Sequence, residues 1–476
     1  MRRTDTHPTA VLGALLVAAL SFALAQTMVA AALPEIARAY ETDVSTATWV
    51  FTGFLLSASV ATPLLGRLGD LFGKGRVLTA VLVTFAAGSV VAGLASSIEV
   101  LIAGRVIQGV AGAVFPLSFG IVRDTFPAER VPVGIGVISA VFGIGGGIGL
   151  PLSGVIVDNV DVSWLFWIGL GALPAALATW ILVPASPARE RVRLDWAGAV
   201  TLSIGLVALL LGITRANEWG WGSAPVLALL IGGVAVLAGW IALEARTPDP
   251  MVDMRVLRRR PVAATNATGF LIGFAMFGSF LLVPQFAQTP VASGYGFGLS
   301  VTGAGLLMVP SALAMLVAGP LAGALGARFG SRMVLTAGTA FAGAAFAVLL
   351  EAHSAQWHFV VAMVLLGIGI AFAFAAMANL VVQSVDAGDV GIATGINTIT
   401  RTIGGAFGAA VVSALLAADQ IAGTPLPTEG AYETAFLISL GGAALALLAS
   451  LWIPSRSAPE PGHDREHAPV GALSGG

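Results

Sequence analysis

Long apolar segments alternate with short polar ones along the whole chain. Apolar runs of about 17–25 residues, bounded by charges, prolines or turn clusters, have the length of a helix that crosses the hydrocarbon core of a bilayer. Proline and glycine inside such runs do not argue against helices, since both are frequent in membrane helices. The pattern predicts an all-α polytopic membrane protein with fourteen transmembrane helices, near 10–33, 46–66, 77–96, 98–120, 133–157, 162–184, 196–216, 222–244, 261–287, 298–327, 333–351, 357–383, 389–417 and 431–454.

The composition agrees with this class. Charged residues make up 10% of the 476 residues, against about 25% in soluble domains, and the mean hydropathy is +0.93. The chain has no cysteine, which excludes disulfides, thiolate metal sites and cysteine nucleophiles. Of five histidines only His353 and His358 lie outside the tails, in a predicted outer loop. No metal or other cofactor is expected, and the net charge of -2 gives no indication of nucleic-acid binding.

The distribution of basic residues predicts the orientation. With the N-terminus inside, nineteen of the 23 lysines and arginines fall on the cytoplasmic side, in agreement with the positive-inside rule. Arg38 and Arg215 fall outside, whereas Arg105 and Arg401 lie within predicted spans. We therefore expect a multi-pass protein of the cell membrane with both termini in the cytoplasm.

An eleven-residue segment at the end of the second span recurs in the last group of six spans. Seven of eleven positions match between 63–73 and 320–330, 257 residues apart, and Gly134 and Gly391 match at the same separation. Two parallel six-helix halves around a central site is a plan of transporters that alternate access by rocking one half against the other. The first copy contains Asp70, which Ala327 replaces in the second.

The predicted organisation follows from this repeat. It comprises an N-terminal six-helix half (1–185), two additional helices with a cytoplasmic linker (186–260), a C-terminal six-helix half (261–455) and a disordered cytoplasmic tail (456–476). The two additional helices admit two interpretations, lipid-facing packing or linkage on the one hand and a direct part in transport on the other.

Several motifs carry a family resemblance. The segment Gly66–Arg76, the segment Leu101–Ala113 with its intramembrane Arg105, and the pair Leu33-Pro34 resemble motifs of the major facilitator superfamily, and of its fourteen-span drug:proton antiporter family in particular. The resemblance implies the major facilitator fold and secondary active export.

The glycine-rich fifth span resembles the antiporter motif of that family. It departs from the motif at two points, since Gly149-Leu150-Pro151 stands in place of a Gly-Pro pair and Ser153 occupies the first position of the closing Gly-Gly. The resemblance implies a role in gating for Gly145, Gly149 and Pro151. Small residues also let membrane helices pack closely, so ordinary packing is the alternative interpretation.

The first span departs from the family. Ala25 stands where the family carries an aspartate taken as a proton or cation site, and no acid is placed near the middle of the membrane. The remaining candidates for coupling are Glu35 at the outer mouth, Asp70 at the cytoplasmic gate and Asp124 at the inner end of the fourth span. By the same resemblance, Asp70 and Arg76 form a charge network that latches the cytoplasmic side against the N-terminus of a helix in the other half. The alternative is that the basic residues there only set the topology.

Two intramembrane arginines define the expected substrate site. Ionisable residues in a membrane are functional candidates by default, although a structural role is equally open for both. Gln26 and Arg105 lie at comparable depth, and Asn397 lies one helical turn before Arg401. Because arginine stays protonated, a cavity with two cations and no acid favours a neutral or anionic hydrophobic substrate. The expected lining residues are Gln26, Arg105, Phe274, Met276, Phe277, Asn397 and Arg401.

The sequence thus predicts a transporter that exports small hydrophobic compounds, drugs or metabolites, by alternating access with protons as the coupling ion. An importer of nutrients or a lipid exporter of the same fold is the alternative within transport. An enzyme or receptor is disfavoured, since the chain has no nucleophile elbow, metal-ligand cluster or phosphate loop. Besides substrate and protons, membrane lipid is the expected partner.

Overall fold

A computed structural model describes residues 8–42, 44–184, 195–248, 250–424 and 426–454. The predicted tail, 456–476, and the basic residues at 2, 3, 189, 191 and 193 lie outside this part of the chain. Within it, fourteen long helices follow one another: α1 Pro8–Ala39, α2 Val44–Phe72, α3 Lys74–Gly93, α4 Ile98–Thr125, α5 Val131–Asn159, α6 Trp164–Leu182, α7 Trp196–Trp219, α8 Ala224–Glu244, α9 Arg260–Gln288, α10 Val301–Leu306 with Val309–Phe329, α11 Ser331–Glu351, α12 Gln356–Ser384, α13 Val390–Ala418 and α14 Glu429–Leu451.

These helices confirm the predicted fold class. Over their described residues, thirteen of the helices are long and apolar enough to cross a membrane. The other helix, α5, has 29 residues, and about 20 residues are enough to span the hydrocarbon core. Apolar runs become helices in a bilayer because only an α-helix satisfies every backbone polar group within one segment.

The helices form two bundles. Helices α1 to α6 pack with one another, and so do α9 to α14. The bundles meet along two seams, where α2 packs on α13 and α5 packs on α10. The end of the molecule where α2, α4 and α10 finish and α9 and α13 start carries Arg67, Lys74, Arg123, Arg259 and Arg328, and we call it the basic end. The opposite end is the distal end.

Glycines set the distance between helices inside each bundle. A side chain at Gly149 would overlap Thr27 of α1, and one at Gly408 would overlap the Phe274 carbonyl of α9. Thr27 Oγ1 also donates to the Gly145 carbonyl oxygen at 2.7 Å. Small residues thus bring α5 onto α1 and α13 onto α9 in pseudo-equivalent contacts.

The two additional helices differ from each other. Helix α8 packs against α7, and only 17% of the residues in its most apolar stretch are buried in the protein. Helix α7 contacts α2 of the first bundle and α13 of the second. Its Arg215, predicted to fall on the outer side of the membrane, lies in the second half of the helix and is 3% exposed. The two helices therefore do not share one environment: α7 lies across the seam between the bundles, and α8 covers it from outside.

Candidate transport site

The basic end is closed by a carboxylate on a helix terminus. Asp70, in the last turn of α2, accepts hydrogen bonds from the backbone N–H groups of Gly391 at 3.2 Å and Ile392 at 3.1 Å, at the start of α13. The side chain of Asp70 is fully buried. The first N–H groups of a helix lack partners within the helix, and the helix dipole favours an anion there. Asp70 therefore joins the two bundles by an N-terminal helix contact.

Three ion pairs lie at or beside this contact. Lys74 Nζ lies 3.5 Å from Asp70 Oδ1 and 2.9 Å from Asp124 Oδ2. Arg67 Nη1 lies 3.1 Å from Asp389 Oδ1, just before α13, and Arg67 Nη2 donates to the Pro250 carbonyl oxygen at 3.3 Å. The Arg67–Asp389 pair is a further link between the bundles, whereas Lys74 holds two carboxylates within the first bundle.

The repeat places its glycines on both seams. A Cβ on Gly66 would approach the Gly391 carbonyl oxygen of α13 to 2.6 Å. On the other seam a Cβ on Gly323, the repeat partner of Gly66, would approach the Pro132 carbonyl oxygen of α5 to 2.5 Å. Backbone-to-backbone contact at both seams requires glycine, because any side chain would separate the helices. The duplicated glycines therefore serve close helix packing at both seams, whereas the carboxylate of Asp70 is present only at the seam between α2 and α13.

A small cavity lies between the bundles. It encloses about 30 Å³ and is bordered by side chains of α1, α2, α4, α9 and α13. Gln26, Phe277 and Arg401 of the predicted site line it, and Gln26 Oε1 is buried without a hydrogen-bond partner among the described residues. The remaining lining residues are Phe22, Leu55, Ala58, Ser59, Thr62, Gly112, Phe115, Thr398, Ile399 and Thr402.

Arg401 combines a cavity position with a partner in the second bundle. Its guanidinium carbon lies 4.0 Å from the centre of the Phe374 ring, a cation–π arrangement. Asn397 lies one turn earlier and donates to Asn266 Oδ1 at 2.9 Å. It is buried beside α9 and does not line the central cavity. The polar stripe of α13 is thus divided between the cavity and helix packing.

Arg105 lies elsewhere. Its Nε donates to the Val50 carbonyl oxygen at 3.0 Å, and its Nη1 donates to Gln108 Oε1 at 2.7 Å. Gln108 Nε2 donates in turn to Ser89 Oγ at 2.7 Å, and the guanidinium lies 4.1 Å from the Phe54 ring centre. These contacts join α2, α3 and α4 inside the first bundle. The structure therefore supports the structural interpretation of Arg105 and removes it from the lining of the central cavity.

The other predicted site residues are dispersed. Phe274 and Met276 are buried in the second bundle, where Phe274 packs on Phe407 with ring centres 6.1 Å apart. Arg76 is exposed at the start of α3, and the buried base beside Asp70 is Lys74. Glu35 pairs with Arg38 at 2.5 Å near the distal end.

Gly145 and Gly149 face α1, and Pro151 lies beside Gly305 of α10. These three residues are therefore at helix contacts of α5. Both the gating and the packing interpretations of the α5 motif remain consistent with this position.

Two further cavities lie on the distal side of the central cavity. A vestibule of about 270 Å³ lies between α2, α7, α9 and α13 and shares Leu55, Phe277 and Thr402 with the central cavity. It shares Ser413 with a third, polar cavity of about 390 Å³ at the distal ends of α9, α13 and α14. The two cavities that both bundles line thus lie toward the distal end, whereas packed glycines and ion pairs hold the bundles together at the basic end.

A fourth cavity, the largest of these four, borders the vestibule at Leu56. It measures about 640 Å³ and is formed by α2, α4 and α7 along one side of the first bundle, with an almost entirely apolar lining. A transport site between two rocking halves must touch both of them. The central cavity meets this condition because it is lined by both bundles.

Sequence reasoning missed several of these residues. Lys74 and Asp389 were indistinguishable from topology-setting or loop charges, because only the fold shows that they contact carboxylates or the opposite bundle. Phe22, Phe115, Thr398 and Thr402 look like ordinary helix residues in the sequence. A 3.6-residue periodicity places Thr398 and Thr402 on one face of α13 with Arg401 nearby, which is the one signal that was available.

The architecture defines a class: a membrane transporter built from two pseudo-equivalent six-helix bundles. The model of the Major Facilitator Superfamily matches residues 15–297 and 270–474, and the chain belongs to this superfamily. It is 30% identical to the tetracenomycin C resistance and export protein of Streptomyces glaucescens, over 90% of this chain and 81% of that protein. It is 26% identical to the multidrug transporter protein MdtP of Bacillus subtilis, over 84% of this chain and 74% of that protein.

Two further comparisons agree. The probable actinorhodin transporter of Streptomyces coelicolor is 28% identical, over 85% of this chain and 72% of that protein. A crystal structure of the human organic anion transporter MFSD10 superposes with a TM-score of 0.67 at 17% identity, covering 93% of this chain and 99% of that one. That likeness shows the fold alone.

Proposed function

We propose that this transporter exports small hydrophobic compounds by alternating access between its two bundles, with protons as the counter-transported ion. The observation that carries the proposal is the asymmetry of the interface between the bundles. The basic end is held closed by Asp70 and the Arg67–Asp389 pair, whereas the central cavity and the vestibule, which share three lining residues, lie toward the distal end.

The orientation of the protein in the membrane determines which side the closed end of the interface faces. The concentration of arginine and lysine at the basic end supports a cytoplasmic location of that end under the positive-inside rule. The structure then corresponds to an outward-facing state that is closed to the cytoplasm. Export follows if the substrate enters the cavity when the latch is open and leaves through the vestibule when it is closed. The printed names of relatives, for tetracenomycin C export and for multidrug transport, support export as the direction.

The lining of the central cavity supports a substrate class. It is formed by the aromatic rings of Phe22, Phe115 and Phe277, hydroxyl groups, one amide and the guanidinium of Arg401, with no carboxylate among the described lining residues. Aromatic faces bind planar apolar groups, and the cation disfavours a permanently cationic compound. The best substrates are therefore neutral or anionic hydrophobic molecules.

Asp70 is the best-placed carboxylate for proton coupling. It is buried, it lies on the interface that must open, and its charge is matched to the N-terminus of α13. Protonation would remove the attraction between an anion and the helix dipole, so a proton at Asp70 weakens the latch. Asp124 supports this arrangement through Lys74, and Glu35 lies far from it at the distal end.

Transport by the purified protein in proteoliposomes tests the proposal. Neutral, anionic and cationic hydrophobic compounds are compared under an imposed pH gradient, with dissipation of the gradient as the control. Flux that follows the gradient and favours neutral or anionic compounds is the expected result. Flux that does not depend on the pH gradient would contradict proton antiport. A preference for quaternary ammonium compounds would contradict the proposal that the substrates are neutral or anionic.

A further inference from the structure

Helix α7 contributes to the space between the bundles. Leu210, Thr214 and Asn217 line the 270 Å³ vestibule, together with residues of α2, α9 and α13. Their spacing of four and three residues puts them on one face of α7. Nearer its N-terminus, the helix also carries exposed apolar residues such as Val200 and Ile204. The additional helix is therefore part of the vestibule lining as well as part of the lipid-facing surface.

Polar contacts fix α7 to both bundles near this face. Asn217 Nδ2 donates to the Ala410 carbonyl oxygen of α13 at 3.0 Å, and Trp221 Nε1 donates to Asn217 Oδ1 at 2.7 Å. The buried Arg215 forms an ion pair with Glu218, and its guanidinium lies 4.4 Å from the ring centre of Trp49 on α2. Helix α7 is thus held to the first bundle by Arg215 and to the second by Asn217.

The vestibule continues the substrate cavity. Leu55, Phe277 and Thr402 border both spaces, so a molecule that leaves the central cavity distally enters the vestibule past these side chains. The vestibule lining is apolar with hydroxyl and amide groups at Thr52, Thr214, Asn217, Thr402 and Ser413, and carries no charge among the described lining residues. Such a surface suits the same neutral or weakly polar hydrophobic compounds as the central cavity.

We propose that α7 forms one wall of the substrate exit path, and that Leu210 and Thr214 contact the hydrophobic substrate between the central cavity and the distal opening. This inference rests on the proposed export function. Helix α8 has no such part, since it packs on α7 from outside with Ile231 67% and Val234 57% exposed. The additional pair thus combines one path-lining helix with one lipid-facing helix.

The absence of cysteine from the whole sequence makes thiol labelling a direct test. Thr214→Cys is labelled with a membrane-impermeant thiol reagent from the distal side, with and without substrate. At a substrate concentration about ten times its Kd, labelling is expected to slow about tenfold, because only the unoccupied protein reacts. The attached group is expected to block export. Gly222→Cys is the matched control, since a Cβ there meets nothing within 4 Å and its labelling should be independent of substrate and harmless.

The outcomes separate the two proposals. If the unsubstituted protein exports none of the compounds, the proposed function fails. If it exports them but labelled Thr214→Cys also exports them and is not protected by substrate, only the wall assignment fails. Leu210→Cys serves as the second variant if Thr214→Cys does not fold, and the same pattern is expected there.

Discussion

The carboxylate of Asp70 at the end of α2 accepts a hydrogen bond from the backbone N–H of Ile392 at the start of α13, with 3.1 Å between Asp70 Oδ2 and Ile392 N. This contact joins residues 322 positions apart and lies where the two bundles must separate for the basic end to open. An anion at a helix N-terminus contributes about 0.3–1 kcal/mol when exposed and up to about 2 kcal/mol when partly buried. A contact of this strength is large enough to bias a conformational equilibrium and small enough to be broken in the proposed transport cycle.

The first prediction concerns Asp70 itself. Asp70→Asn keeps the shape but loses the charge that matches the α13 terminus, so we expect export to be abolished while the protein still reaches the membrane. The closed state should lose about 1–2 kcal/mol. Export assays and quantification of the protein in membranes test this together. Glu351→Gln, an exposed carboxylate at the distal end of α11, is the control, and full export by Asp70→Asn would contradict the gating role.

The Arg67–Asp389 pair should behave as an exchangeable contact. The side chains are 10% and 25% exposed and lie 3.1 Å apart, so reversing one charge places like charges at the interface. We expect Arg67→Glu and Asp389→Arg each to lower export, and the double variant to recover part of it. The coupling energy from the double-mutant cycle should be about 0.5–3 kcal/mol. Strict additivity of the two effects would show that the residues do not act as a pair.

Close packing of α5 on α10 gives a third prediction. A methyl group at Gly136 would overlap the Gly319 carbonyl oxygen, and packed backbones cannot absorb such an overlap without moving. Gly136→Ala should therefore prevent full closure of the basic end. Labelling of a single cysteine introduced at Arg123 from the cytoplasmic side should become faster, and export should fall. Gly232→Ala on α8, where a Cβ meets nothing within 4 Å, should change neither quantity.

Arg105 should matter for stability rather than for substrate choice. Arg105→Ala leaves the buried Gln108 Oε1 and the Val50 carbonyl oxygen without their donor, which costs about 1–3 kcal/mol for a buried group. We expect a lower unfolding temperature in detergent with an unchanged order of substrates. Arg105→Lys retains the positive charge but loses the planar set of guanidinium N–H donors, so its unfolding temperature should be intermediate. A change in the order of substrates at unchanged stability would place Arg105 back in the binding site.

Arg401 should show the opposite behaviour. Its guanidinium borders the central cavity, so Arg401→Gln removes the positive charge from the proposed substrate site. Export of anionic compounds should fall about tenfold, equivalent to about 1.4 kcal/mol, while export of neutral compounds of similar size changes little. Equal losses for both classes would indicate a structural role through Phe374.

Local sequence features were sufficient to predict the helices and to identify the repeat. The spans follow from the length of apolar runs, because a bilayer admits few alternatives to a helix, and the predicted 389–417 span differs from α13 by one residue at each end. Asp70 could be singled out because it interrupts an otherwise repeated segment. Arg105 and Arg401 could not be separated in this way, since both are single arginines in apolar helices and only their surroundings differ.

The sequence by itself determined the class of protein, the number and type of its helices, its pseudo-repeat and the candidate at Asp70, because these depend on composition, periodicity and spacing along one chain. Tertiary structure alone decided which side chains meet across the two bundles. It placed Arg401 at the cavity and Arg105 within one bundle, it selected Lys74 over Arg76 beside Asp70, and it brought α7 to the vestibule. The physical reason is that helix rotation and seam packing depend on contacts between distant segments, which hydrophobicity patterns in nearly uniformly apolar helices do not encode.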